Sequence, residues 1–309
     1  MRIFVTGATG FIGSAVVNEL IEAGHQVVGL ARSDKAAESL TAVGASVHFG
    51  ALDDLDSLHK GAAAADGVIH LGFKTDFADF SDAVATDLRA VETFGAALEG
   101  SNKPFVFTTG TLVVAWSNPE PILGTEEIAV DSNVPRGAAE NAAIALADRG
   151  VRSSVVRLAP TVHGPGDHGF ISMLIGIARE KGFSAYVGDG YNRWPAVHRL
   201  DAARLYRLAA ESASAGSRLH AVGEEGIQFC NIAGAIGRNL NLPVVSISHE
   251  EAQAHFGFLG PFTFTDNPMS NTLTQERLGW RPVHPALIPD IEQGHYFNTQ
   301  GEYWRALKN

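Results

Sequence analysis

The first thirteen residues constrain the fold more than any other stretch of the chain. Ile3-Phe4-Val5 is a short apolar run of the kind that forms a buried strand, and Thr6-Gly7-Ala8-Thr9-Gly10-Phe11-Ile12-Gly13 follows it with glycines at GxxGxxG spacing. Glycines let a backbone turn tightly and approach a pyrophosphate, whose charge is offset by the free N–H groups and positive end of the next helix. That helix is legible too: Ile12, Val16 and Leu20 recur every four residues with Val17 and Ile21 beside them, and Gly24 stands where a left-handed stop is expected. A glycine string alone also suits a tight turn that binds nothing. Strand, turn and helix in this order favour a nucleotide diphosphate.

The first half of the chain repeats the alternation in units of about thirty residues, as a parallel sheet with helices on both faces requires. Residues 25–30, 47–49, 67–71, 105–108 and 151–158 read as further strands, and 84–98 and 135–149 as helices. The expected fold is therefore α/β, a Rossmann-type doubly wound parallel sheet over residues 1–159. Past Ala159 the run from Pro160 to Phe170, rich in proline and glycine, breaks the pattern, and residues 160–309 are expected to form mainly a smaller substrate lobe. A helix at 201–210 is expected to return to the first domain. Function should sit at the carboxyl ends of the strands.

Whole-chain properties narrow the partners. A formal charge of −11 argues against a nucleic-acid surface or an anionic membrane, both of which attract clustered Lys and Arg. The uncharged stretch 104–119 is too short and too polar to span a bilayer. No secretory signal is evident, and the single cysteine, Cys230, cannot form an intramolecular disulfide; a cytoplasmic protein with Cys230 buried is expected.

Thr6 to Gly13 resembles, at every fixed position, the TGxxGxxG loop of the extended short-chain dehydrogenase/reductase superfamily. Leu278-Gly279-Trp280-Arg281-Pro282 resembles the LGW-x-P segment of the same group, and Gly188-Asp189-Gly190 and Val197-His198 extend the likeness over nearly the whole chain. The closest description is an atypical member similar to the NAD(P)-dependent epimerase/dehydratase branch. The resemblance implies coenzyme contacts from Gly7, Thr9, Gly10, Phe11, Ile12 and Gly13, from Leu52 and Asp53 beside adenine, from Leu71, Gly72 and Phe73 under a ribose, and from Thr109, Arg136, Pro160 and Val162. At the end of the second strand, Ala31 stands where NAD-dependent relatives carry Asp, while Arg32, Ser33 and Lys35 offer donors to a 2′-phosphate. NADP (NADPH) is the expected cofactor and NAD remains possible, because Asp34 lies among these donors and Arg32 and Lys35 can equally be solvated loop charges.

The superfamily's reductases use a tyrosine four residues before a lysine, and this chain departs from that. Aligned on Glu140, the lysine position falls on Arg136 and the tyrosine position on Ser132. Arginine stays protonated and cannot trade a proton, and a serine hydroxyl is too weak an acid without a neighbouring base. The superfamily's serine position falls on Gly110, flanked by Thr109 and Thr111, either of which can hold a substrate carbonyl or simply satisfy a strand end. Replacement proton donors must come from His163, His168, Tyr191 or His198, histidine being the best generic choice and a packed structural role the plainer reading of each. Residues 190–195 look like a pocket wall, with aromatic rings supplying apolar area and Arg193 orienting an anionic group, though aromatic core packing explains Trp194 as well. His163, Asp167 and His168 match no zinc spacing, and no metal is expected.

Three readings follow. The first is an NADP(H)-dependent oxidoreductase of a small carbonyl or imine-type substrate; the second a sugar-type epimerase or dehydratase; the third a non-catalytic NADP-binding sensor. The superfamily often pairs through the helices corresponding to 84–98 and 136–149, which implies a homodimer.

Overall fold

The structure, a computed structural model, describes residues 1–74, 79–118 and 120–298. Pro119, the last residue of the uncharged stretch, and residues 299–309 of the expected lobe lie outside the described residues. Strands β1 (Arg2–Thr6), β2 (Gln26–Ala31), β3 (Ser46–Phe49), β4 (Gly67–His70), β5 (Pro104–Gly110) and β6 (Arg152–Leu158) come first in the chain. Between them lie helices α1 (Phe11–Glu22), α2 (Asp34–Ala42), α3 (Leu55–Ala63), α4 (Phe80–Leu98), α5 (Leu112–Trp116) and α6 (Gly137–Ala145). Then follow β7 (Thr161–His163), α7 (Phe170–Lys181), β8 (Ser184–Val187), β9 (Arg193–His198), α8 (Arg199–Ser212) and β10 (Ser217–Ala221).

Among the described residues, seven strands form one sheet in the order β3-β2-β1-β4-β5-β6-β10, every neighbouring pair parallel. Its inner strands are near-continuous apolar runs because helices cover both faces. One face packs Val16, Leu20, Leu205, Tyr206 and Trp280 from α1, α8 and the LGW segment; the other packs Leu58, Phe94 and Leu146 against Phe4, Phe105 and Phe107. Strand order reverses between β1 and β4, so the crevice for a ligand opens above their carboxyl ends. The glycine turn and Leu71-Gly72-Phe73 meet there.

The chain beyond residue 160 contributes more to this sheet than the single returning helix. α8 lies against α1, and β10 then pairs with β6, Ser217 opposite Ser154. A five-residue edge strand containing Ser217, Arg218 and His220 carries too little apolar pattern to be seen in sequence. The remaining elements are β11 (Glu224–Gln228), α9 (Phe229–Leu240), β12 (Val244–Ile247), α10 (His249–Phe256), α11 (Thr272–Leu278), α12 (Leu287–Glu292) and α13 (His295–Asn298). Small sheets β11-β9-β7 and β12-β8 pack with α7, α9, α10 and α12 around Ile171, Leu174, Phe229, Ile236 and Leu287.

Three expectations need correction. Trp194 is 0% exposed inside this second core, so of its two readings core packing holds and the pocket wall does not. Cys230 is half-buried at the start of α9, not fully buried. The helix expected from 135 begins at Gly137, after Arg136 takes φ +65°, because a Cβ at Gly137 would stand 2.0 Å from the Asp131 carbonyl oxygen and only glycine fits. No helix among the described residues is long and apolar enough to cross a membrane.

Candidate active site

The glycine turn is shaped by contacts that leave no room for side chains. Gly7 has φ +66°, and a Cβ there would lie 2.8 Å from the Gly72 nitrogen; at Gly13 it would lie 1.9 Å from the Gly7 carbonyl oxygen. That carbonyl accepts from Gly10 N–H at 3.0 Å. Thr9 and Gly10 are exposed, Phe11 and Ile12 half-buried, and no side chain caps the amino terminus of α1. The first-turn N–H groups therefore face the crevice with the positive end of the helix dipole behind them, which suits an anion. Thr6 Oγ1 accepts from Gly72 N–H at 3.0 Å and lies 2.6 Å from His70 Nδ1, which ties β1 to the turn after β4. His70 is a packed strand histidine, buried between Phe94 and Phe107.

At the end of β2, Ala31 is buried and Arg32 exposed, and among the described residues the Arg32 guanidinium makes no ion pair. Ser33 is less open than expected, because its Oγ accepts from Ala36 N–H at 3.3 Å and caps α2. Asp53 is exposed and its carboxylate lies 3.4 Å from Lys74 Nζ; Leu52 packs toward Gly72.

Arg136 is held from three sides. Its Nε donates to Asp87 Oδ2 at 2.9 Å, its Nη2 donates to Asp87 Oδ1 and to the Thr108 carbonyl, and its guanidinium carbon stands 4.5 Å from the centre of the Phe73 ring. Burial pushes the Asp87 carboxyl up, but Arg136 and His70 outweigh burial and hold it below the usual carboxylate range. Asp87 was not singled out from sequence, although a signal existed: Ala83, Asp87, Val91 and Phe94 share the apolar face of α4, and a carboxylate there demands a partner. Ser132 Oγ, expected at the tyrosine position by alignment on Glu140, accepts from Asn141 Nδ2.

The hydroxyls after β5 are both engaged. Thr109 Oγ1 donates to Glu140 Oε2 at 2.8 Å, so its proton is directed away from any substrate carbonyl. Thr111 Oγ1 accepts from Asn267 Nδ2 at 2.8 Å, and the Thr111 and Asn267 side chains are both buried. Asn267 was unmarked in sequence because it comes from a loop more than 150 residues away.

The candidate donors are dispersed. His163 is buried with Nδ1 2.8 Å from Asp290 Oδ2; its ring meets that of His198 edge-on, and His198 stacks on His284. Burial, then the charges of His163 and His284, push His198 down to about 4, so it is neutral at ordinary pH. His168 lies elsewhere, its ring 5.7 Å from Phe11 at the glycine turn, where Arg199 also stacks. Tyr191 is 63% exposed on the turn before β9. Arg193 is not free to orient an anion, because Asp266 takes its guanidinium at 2.7 Å. Pro160 and Val162 are half-buried at the β6–β7 connection. Among the described residues no three His, Cys, Asp or Glu side chains gather as a metal would need.

The depressed His198 pKa has a testable sign. A histidine held neutral by the fold contributes stability that is present above about pH 6.5 and lost as pH falls toward about 4. His198→Asn keeps an acceptor for the Leu200 N–H at the start of α8, so its urea midpoint should fall less on acidification than that of the parent protein. Equal acid sensitivity of the two proteins would refute the assignment.

Comparison with known proteins agrees with this architecture. Residues 3–223 match the model of the NAD dependent epimerase/dehydratase family, and the chain belongs to that family of NAD(P)-dependent epimerases, dehydratases and reductases. An uncharacterized protein of Schizosaccharomyces pombe is 52% identical over 298 residues, 96% of this chain and 100% of that protein. A 2-alkyl-3-oxoalkanoate reductase of Stenotrophomonas maltophilia is 29% identical over 225 residues, 70% of this chain and 67% of the reductase. The crystal structure of DesIV, a dTDP-glucose 4,6-dehydratase from Streptomyces venezuelae, with NAD and TYD bound, superposes with a TM-score of 0.78 at 20% identity, over 99% of this chain and 100% of that one, and so shares its fold.

Proposed function

We propose that the chain is an NADP(H)-dependent oxidoreductase of a small carbonyl or imine-type substrate, working without the Tyr-x-x-x-Lys pair. The observation that carries this reading is Arg136. It stands at the lysine position beside Phe73 and the end of β5, anchored by Asp87 so that its remaining donor surface can meet ribose hydroxyls. Arginine supplies donors and charge there but no proton. The hydride acceptor must therefore bring its own proton, as an iminium does, or take one from water or from a side chain at the mouth such as His168. Arg32, exposed and unpaired by any carboxylate among the described residues, supports NADP over NAD.

The test is absorbance loss from NADPH across ketones, aldehydes and cyclic imines. Turnover on members of this panel is expected; tight NADP binding with no turnover on any of them would contradict the reading and indicate a sensor. Arg136→Ala should raise the Kd for both coenzymes. Arg32→Ala should raise that for NADPH by about 10–100-fold, the value of one charge-assisted hydrogen bond, and leave NADH nearly unchanged. Equal effects of Arg32→Ala on the two coenzymes would remove the preference for NADP.

A further inference from the structure

Four aromatic rings join the connections that leave β5 and β6. Trp116, at the end of α5, has its ring centre 5.5 Å from that of Phe262; Phe262 lies 5.5 Å from Phe170, which opens α7; and Phe258 stands 6.4 Å from Phe262. All four are half-buried, whereas the Trp194 ring beneath Phe170 is fully buried and its Nε1 donates to the Phe262 carbonyl, fixing that residue in place. Asn267 ties the same loop to Thr111, and Asn192 ties it to β9 through the Thr263 and Thr265 carbonyls. The result is a supported aromatic wall running from the residues after Thr109–Thr111 to the residues after Pro160–Val162, where the coenzyme's reactive ring would have to meet a substrate.

Charge is as informative as shape. Residues 110–118, 160–172, 188–196 and 257–271, which bound this region, contain a single Lys or Arg, and that residue, Arg193, is neutralised by Asp266 through contacts of 2.7 and 3.1 Å. A diphosphate or carboxylate packed on these segments would meet no unpaired Lys or Arg among the described residues, and the nearby Arg136 is already taken by Asp87, so its desolvation would go uncompensated. Aromatic faces, by contrast, welcome apolar rings and cations alike.

We infer that the substrate is a phosphate-free, non-anionic ring compound bearing the reducible carbon, an aryl or cyclic carbonyl or its iminium, packed against Trp116, Phe170 and Phe262. The inference rests on the oxidoreductase reading and narrows it. In the reaction the carbonyl carbon gains a hydride from the dihydronicotinamide, the C=O π pair moves to oxygen, and oxygen takes one proton from solvent. One NADPH and one proton are consumed per alcohol formed. A cyclic iminium carbon gains the same hydride, its π pair moves to nitrogen, and no further proton is needed.

The test separates the inference from the reading beneath it. NADPH binding is measured first by thermal shift, and its absence would overturn both. With binding established, kcat/KM is compared for acetophenone, benzaldehyde and 1-pyrroline against propanal and the phosphate-bearing ketone dihydroxyacetone phosphate, and saturation-transfer NMR reads acetophenone binding to the protein without coenzyme. The ring compounds are expected to be favoured at least tenfold. Trp116→Ala and the milder Phe262→Leu should each raise their KM about tenfold, with KM for propanal and NADPH within about threefold of the parent values, as loss of one aromatic contact implies. Preference for dihydroxyacetone phosphate, equal use of propanal and the ring compounds, no turnover of any ring compound, or variants that leave the ring compounds' KM unchanged would each overturn the inference, whatever the coenzyme result.

Discussion

Gly13→Ala is expected to weaken NADPH binding by at least a hundredfold while leaving the protein folded. The added methyl would sit 1.9 Å from the Gly7 carbonyl oxygen, and that oxygen is the acceptor that closes the turn to Gly10 N–H. Relief requires the turn to open, which carries the Gly10, Phe11 and Ile12 N–H groups away from the diphosphate they are proposed to bind. Several charge-assisted hydrogen bonds and the alignment with the dipole of α1 are lost together, each worth about 1.5–3 kcal/mol. The clash falls on Gly7 and Ala8 of the turn and not on the strands of the sheet, so circular dichroism should be unchanged and the melting temperature should fall by only a few degrees. Titration of NADPH fluorescence checks the first expectation, and wild-type affinity in the variant would show that this turn does not hold the coenzyme.

The largest stability effect should come from Glu140. Its carboxylate and the Arg157 guanidinium are both 0% exposed, 2.5 Å apart, and the carboxylate also accepts from Thr109 and Arg218. Removing one partner of a buried pair leaves the other charge uncompensated, which typically costs about 3–5 kcal/mol. Glu140→Ala should reach that range, read from the urea midpoint and slope. Arg157 would keep neutral acceptors in the Thr125 and Ile128 carbonyls, which sets the upper limit. A loss below about 1 kcal/mol would show that the pair is not a structural hub. The same variant releases the Thr109 proton, so any gain in carbonyl turnover in the surviving folded fraction would identify Thr109 as a latent donor.

Local patterning carried the fold far. The strand and helix periods over residues 1–159, the glycine turn and the LGW segment are all short-range features, each readable within a window of a few residues, and they are enough to define a doubly wound sheet. What escaped was long-range. β10 depends on pairing with a strand some sixty residues earlier, Asn267 reaches Thr111 across the chain, and Asp266 silences Arg193. The candidate proton donors illustrate the same limit. Their residue types were apparent, but burial and neighbours, not identity, hold His198 neutral and turn His163 toward Asp290. Asp87 was the exception, a charge on an apolar helix face that a stricter reading of periodicity finds.

The proposed chemistry requires a coenzyme lying with its diphosphate against the amino terminus of α1. The direct measurement is a crystal soaked with NADPH. Diphosphate density within hydrogen-bonding distance of the N–H groups of residues 10–12, with the nicotinamide running toward Arg136 and Val162, is the expected result. A clear map in which that turn is empty at saturating coenzyme, or in which NADPH binds elsewhere, would contradict it.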